Sequence, residues 1–185
     1  IIFIIVLLTI STAVFFIFNH PQFGKKPSGK RLERILKSPN YKEGAFQNIS
    51  PTPQLAEDTN MAKVMFRFLF GNTPRKVPKQ KFNFEKTDLH NISPDENVFI
   101  WFGHSSYFIQ VDGKKILVDP VFCGHASPFS FTGKAMAGTD LYEVEDIPQL
   151  DYLIITHDHW DHLDYKTVKK LNPKVGKVIT GLGTG

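Results

Sequence analysis

The nine residues Thr156-His157-Asp158-His159-Trp160-Asp161-His162-Leu163-Asp164 carry three imidazoles and three carboxylates. These donor types bind zinc, and iron or manganese can occupy the same mixed sets. The apolar run Tyr152–Thr156 just before the cluster reads as a buried strand. In extended backbone alternate residues share a face, so His157 and His159 point together at one ion while Asp158 and Trp160 point away. Where the chain turns toward a helix, adjacent Asp161 and His162 swing to a second ion, with Asp161 placed to ligate and to hold a catalytic water. A match to His-x-His-x-Asp-His is expected by chance on the order of 10⁻³ times in such a chain, so a merely solvated His/Asp loop accounts for it poorly.

The elements that must position this loop follow from the alternation of apolar residues. Val98–Phe102, Ser106–Val111 and Lys115–Val118 read as strands, the last two joined by an Asp112-Gly113 hairpin turn. Asp164 is a helix N-cap for Tyr165–Leu171, and Lys177–Thr180 reads as a further strand. Strand, donor-rich loop, helix, strand is an α/β arrangement. His104 follows Gly103 at a strand end, where a structural histidine and a functional one are equally compatible with the residues. Gly103-His104-Ser105-Ser106 lacks the Gly-x-Ser-x-Gly of a nucleophile elbow, so Ser105 and Ser106 read as turn residues. Gly181–Gly185 lacks the following helix of a dinucleotide loop. His20, His90 and His125 have no ligand-like spacing, and the single Cys123 cannot form an internal disulfide.

Upstream, Ile1–Phe18 has no charge, no Pro and no Gly, and as a helix it would run ~27 Å, so it is expected to be a single-pass membrane anchor. A signal-peptide core usually ends in small residues, whereas this run ends in Phe15, Phe16 and Phe18 before Asn19-His20-Pro21. Lys25, Lys26, Lys30, Arg31 and Arg34 follow, but orientation depends on both flanks and is left undetermined. Residues 19–97 read as an extended, Pro-rich and basic arm with short helices over Lys30–Lys37 and Asn60–Phe70. The expected organisation is thus 1–18 anchor, 19–97 arm and 98–185 catalytic body. A 42% hydrophobic content supplies a packed core, while the net charge of +4 is too dispersed to suggest a nucleic-acid partner. The chain opens on Ile and closes on a glycine turn after a strand, which reads as a piece of a longer protein.

Trp101 to Phe122 ("WFGHSSYFIQVDGKKILVDPVF"), followed by Asp151 to Asp164 ("DYLIITHDHWDHLD"), resembles the metallo-β-lactamase superfamily. Within it the chain resembles the N-acylphosphatidylethanolamine-hydrolysing phospholipase D branch and its bacterial relatives, which also resemble L-ascorbate phosphate lactonases. The resemblance implies an αββα sandwich, of which residues 98–185 are the N-terminal half, and two Zn²⁺ per complete domain. By the same resemblance His157 and His159 bind the first zinc, Asp161 and His162 the second, Asp119 braces a ligand from behind, and His104 lies near the site. The implied activity is phosphodiester hydrolysis of a phospholipid by water made nucleophilic between two metals. The remaining ligands of this family, a His, a bridging Asp and a last His, come from its C-terminal half, so residues 1–185 alone are expected to have little hydrolase activity. Three alternatives stand. A sugar-phosphate lactonase would use the same ligands but gain nothing from Ile1–Phe18, and a nucleic-acid phosphodiesterase would need a basic exosite. A non-catalytic, membrane-anchored metal-binding module would lack metal-dependent turnover.

Overall fold

The computed structural model describes residues 2–71, 77–80 and 83–184. Helix α1 (Ile2–Phe18) has 17 residues, no charge and no buried side chain. It does not meet the expectation of a membrane-spanning helix: among the described residues no helix is long and apolar enough to cross a membrane. Next come a 3-10 turn at Pro21–Phe23, helix α2 (Gly29–Leu36), the small hairpin of β1 (Tyr41–Lys42) and β2 (Ala45–Phe46), and helix α3 (Met61–Phe70). The first part of this arm folds back onto the body. Ile35 on α2 is only 2% exposed, and a side chain at Gly183 (φ 105°) would meet Ile35 at 3.5 Å and Phe46 at 3.7 Å.

The body is a mixed five-stranded sheet in the order β3 (Val98–Gly103), β4 (Ser106–Val111), β5 (Lys114–Val118), β6 (Leu150–Ile155), β7 (Val175–Thr180), with helix α4 (Tyr165–Leu171) crossing from β6 to β7. The pairings β3–β4 and β4–β5 are antiparallel, and β5–β6 and β6–β7 are parallel. The β4–β5 turn is the expected Asp112-Gly113, with φ of 48° and 74°; two positive φ values match the twist of a tight hairpin. This α/β domain is consistent with part of a metallo-β-lactamase fold. Strand β6 begins at Leu150 rather than Tyr152, because Leu150 pairs with Val175, and β7 begins ahead of Lys177 for the same reason. Strand β6 stops before Thr156, whose N–H leaves the ladder to donate to the Asp119 carboxylate at 2.8 Å.

The core is built from Phe108, Leu117, Leu153, Ile155 and Leu171, all nearly inaccessible to solvent; burial of each stabilises the fold by about 2 kcal/mol. It also draws in Leu89 and Ile92 from ahead of Val98. Because β5 and β6 are parallel and β4 runs against β5, the ends of β5 and β6 and the β3–β4 turn meet at one edge of the sheet. Open α/β sheets bind ligands at that carboxyl edge.

Asp164 fixes the start of α4. Its carboxylate accepts from the N–H groups of Lys166 (3.0 Å), Thr167 (3.3 Å) and Cys123 (3.0 Å), and from the Thr167 hydroxyl. Asp164→Ala removes the cap and strands the buried Thr167 hydroxyl. We expect a loss of about 2 kcal/mol, read as a lower urea midpoint at unchanged slope.

Candidate metal centre

Asp119 is the hub of the site. It closes β5 with a φ of 42°, is 1% exposed and binds both ends of the donor-rich loop. One carboxylate oxygen accepts from the Thr156 N–H at 2.8 Å; the other accepts from the Thr156 hydroxyl at 2.6 Å and from His162 Nδ1–H at 2.8 Å. Since the Thr156 hydroxyl already donates to Asp119, its oxygen accepts from His157 Nδ1–H, 3.0 Å away. Both imidazoles therefore carry their proton on Nδ1, leaving the Nε2 lone pair for a ligand. Such partners behind a histidine set its tautomer and raise its basicity.

The loop gathers the expected residues. Ring centroids of His157 and His159 are 4.6 Å apart, and those of His157 and His162 are 3.8 Å apart. His162 Nε2 lies 3.7 Å from Asp161 Oδ2. From the β3–β4 turn, His104 reaches the same oxygen with Nε2–H at 2.8 Å. His104, Asp161 and His162 each offer a ligand atom, all within 4.8 Å of one another. Ring contacts thus link His157 to both His159 and His162, while the ligand atoms within 4.8 Å of one another are those of His104, Asp161 and His162. Imidazoles and a carboxylate are donor types that fit a divalent metal.

Burial disfavours the Asp161 carboxylate, but hydrogen bonds from its own backbone and from His104, with His162 alongside, outweigh it and hold the carboxyl below its usual range. It is therefore ionised at neutral pH, as a ligand must be. His104 has a φ of 47°, and its carbonyl accepts from the Trp101 indole at 2.9 Å. Left-handed backbone at a non-glycine residue is costly and concentrates at functional sites; His104 and Asp119 both have it.

Two residues in the site were not expected there. Thr156 links Asp119 to His157 through a hydroxyl directly after an apolar strand. Ser106 lies inside β4, not in a turn: it is 5% exposed, donates to the Asp119 carbonyl and accepts from the Val121 N–H at 3.2 Å. A polar residue on the inward face of an alternating strand was the available signal for Ser106. The histidines without ligand-like spacing have other partners: His20 accepts from the Gln22 N–H, His90 contacts the Glu145 carbonyl and His125 the Ser127 carbonyl. Burial pushes the Cys123 thiol up to about 11, which keeps it protonated.

A cavity of about 430 Å³ opens beside the cluster. Trp101, Phe102, Phe122, Met136 and Tyr142 line its apolar part, and His104 and Asp161 stand on its wall.

Residues 99–183 match the family described as beta-lactamase superfamily domain. This segment belongs to the metallo-β-lactamase superfamily. Three curated proteins extend the likeness of the metallo-β-lactamase segment. An uncharacterized protein of Mycobacterium tuberculosis is 29% identical over 134 residues, 72% of this chain and 36% of that protein. The N-acyl-phosphatidylethanolamine-hydrolyzing phospholipase D 1 of Caenorhabditis elegans is 31% identical over 167 residues, 85% of this chain and 43% of that protein. A metal-dependent hydrolase of Pyrobaculum neutrophilum is 36% identical over 63 residues, 34% of this chain and 23% of that protein. The chain thus spans less than half the length of each of these relatives.

Proposed function

We propose that this chain carries the first ligand set of a zinc-dependent phosphodiesterase of phospholipase D type, acting on an N-acylphosphatidylethanolamine-like lipid at a membrane surface. The observation that carries this reading is the convergence of His157, His159, Asp161 and His162 on one sheet edge, with Asp119 and Thr156 fixing the tautomers from behind. Metal ions held there would supply Lewis acidity and a water of lowered pKa. His157 and His162 present Nε2 and His159 a ring nitrogen as ligands, while Asp161 offers a carboxylate to a metal and to the proton of an attacking water. His104 orients that carboxylate. In the reaction a water oxygen forms a bond to phosphorus, the bond from phosphorus to the leaving alcohol breaks, and that alcohol takes up a proton.

Two features favour a lipid. The aromatic cavity beside Asp161 suits an apolar chain, and similarity to the nematode phospholipase extends over 85% of the chain. Helix α1, uncharged and wholly exposed, offers an apolar surface on all sides by which the protein would associate with a bilayer.

The test is metal analysis and turnover of the whole protein. About two metal equivalents per chain are expected, with release of phosphatidic acid from N-acylphosphatidylethanolamine that stops on chelation and returns with zinc. Hydrolysis of a sugar-phosphate lactone instead would favour the lactonase reading. A folded protein without bound metal, or turnover indifferent to chelation, would overturn the proposal.

A further inference from the structure

Between the arm and the donor-rich loop lies a second recess, of about 680 Å³. The loop after β6 bends at Asp158 and His159 and turns from Trp160 rather than continuing extended as expected, and Asp158 and Trp160 both line this recess. Phe23, from the 3-10 turn after α1, stacks edge-on against Trp160 at 5.4 Å and lies 5.4 Å from Phe18, the last residue of α1. An aromatic chain thus connects the apolar helix to the loop that bears the ligands.

The wall is basic. Lys25, Lys26, Arg31 and Lys169 line it against one carboxylate, Asp158. Arg31 donates through Nη2 to the Gly183 carbonyl, yet its buried Nε has no hydrogen-bond partner among the described residues. A buried donor without a partner costs stability, and it marks a place where an acceptor from outside would be welcome. Tyr165 and Trp160 supply amphipathic rings of the kind that settle at the headgroup level of a bilayer.

We propose that this recess binds the phosphate of an anionic phospholipid headgroup and so seats the metal loop against negatively charged membranes. The occupant follows from continuity with α1 and from charge. The recess adjoins the end of an uncharged, fully exposed helix, so a surface that receives the helix brings its headgroups to Lys25, Lys26 and Arg31. The inference rests on the membrane-attachment part of the proposed function, but it concerns a different site from the metal cluster.

The experiment is co-sedimentation of the whole protein with vesicles of phosphatidylcholine alone and with vesicles of phosphatidylcholine mixed with anionic phosphatidylglycerol. Each basic residue near an anionic surface contributes about fivefold in affinity. The triple variant Lys25→Ala/Lys26→Ala/Lys169→Ala is therefore expected to lose on the order of 100-fold in binding to the anionic vesicles, with binding to neutral vesicles unchanged. A control of equal charge change, Lys42→Ala/Lys115→Ala/Lys177→Ala, should lose far less. Failure of the attachment reading appears separately, as no binding to neutral vesicles; anionic binding that only the recess triple abolishes would still uphold this site. Equal binding to both vesicles by the wild type, or equal losses from the two triples, would overturn it.

Discussion

Asp119→Ala is expected to unfold at a much lower urea concentration than the wild type and to bind zinc 10–100-fold more weakly. The carboxylate is nearly inaccessible to solvent and accepts three hydrogen bonds, from the Thr156 N–H, the Thr156 hydroxyl and His162 Nδ1–H. Truncation leaves the half-buried His162 ring and the Thr156 groups without their acceptor. Removing one member of such a buried set costs about 3–5 kcal/mol, against about 1 kcal/mol for an average substitution. The loss of metal affinity has its own cause, because His162 and, through Thr156, His157 lose the partners that hold their protons on Nδ1. Asp119→Asn separates the two effects. Its carbonyl oxygen can still accept from Thr156, while its amide faces His162 Nδ1 as a second donor, so more of the stability than of the metal affinity should survive. Urea denaturation and competition with a chromophoric chelator measure the two quantities. An Asp119→Ala protein with wild-type midpoint and zinc affinity would remove Asp119 from its central place.

The legible parts of the chain were those where a local pattern and the tertiary demand agree. Asp164 was readable as an N-cap because capping is satisfied within three residues, and the β4–β5 hairpin because Asp112-Gly113 supplies positive φ on its own. What was not legible depended on partners distant in sequence. Nothing near Ser106 announces that its hydroxyl will meet the Asp119 carbonyl, 13 residues away, and nothing near Thr156 announces a contact 37 residues away. The contact of Phe23 with Trp160 is longer-ranged still, since an arm rich in Pro and Lys carries no periodicity to show which of its few apolar residues will dock. Ile1–Phe18 had the composition of a membrane span, whereas among the described residues no helix is long and apolar enough to cross a membrane.

Asp161→Ala is expected to do the opposite of Asp119→Ala in one respect: it should abolish metal-dependent activity of the whole protein while leaving the fold nearly as stable. Asp161 has a side chain 38% exposed and lies in a loop rather than under the sheet. Its carboxylate is held by His104 and its own backbone, and among the described residues no buried donor depends on it as Thr156 depends on Asp119. Surface changes of this kind usually alter stability by no more than about 0.5 kcal/mol. The chemical cost is larger under the proposed function, in which the same carboxylate, placed between His104 and His162, would ligate a metal and accept the proton of the attacking water. Loss of a group that acts at the reacting centre costs on the order of 10²–10³ in kcat, and a ligand lost in addition should take turnover below detection. His104→Ala leaves Asp161 in place but free to rotate, so it should lower kcat less and leave the two metal equivalents bound. Metal content, kcat and urea midpoint, measured side by side on the three variants, distinguish a carboxylate that ligates from one that merely caps a turn. Full metal occupancy and turnover in Asp161→Ala would mean that the cluster works through its histidines alone.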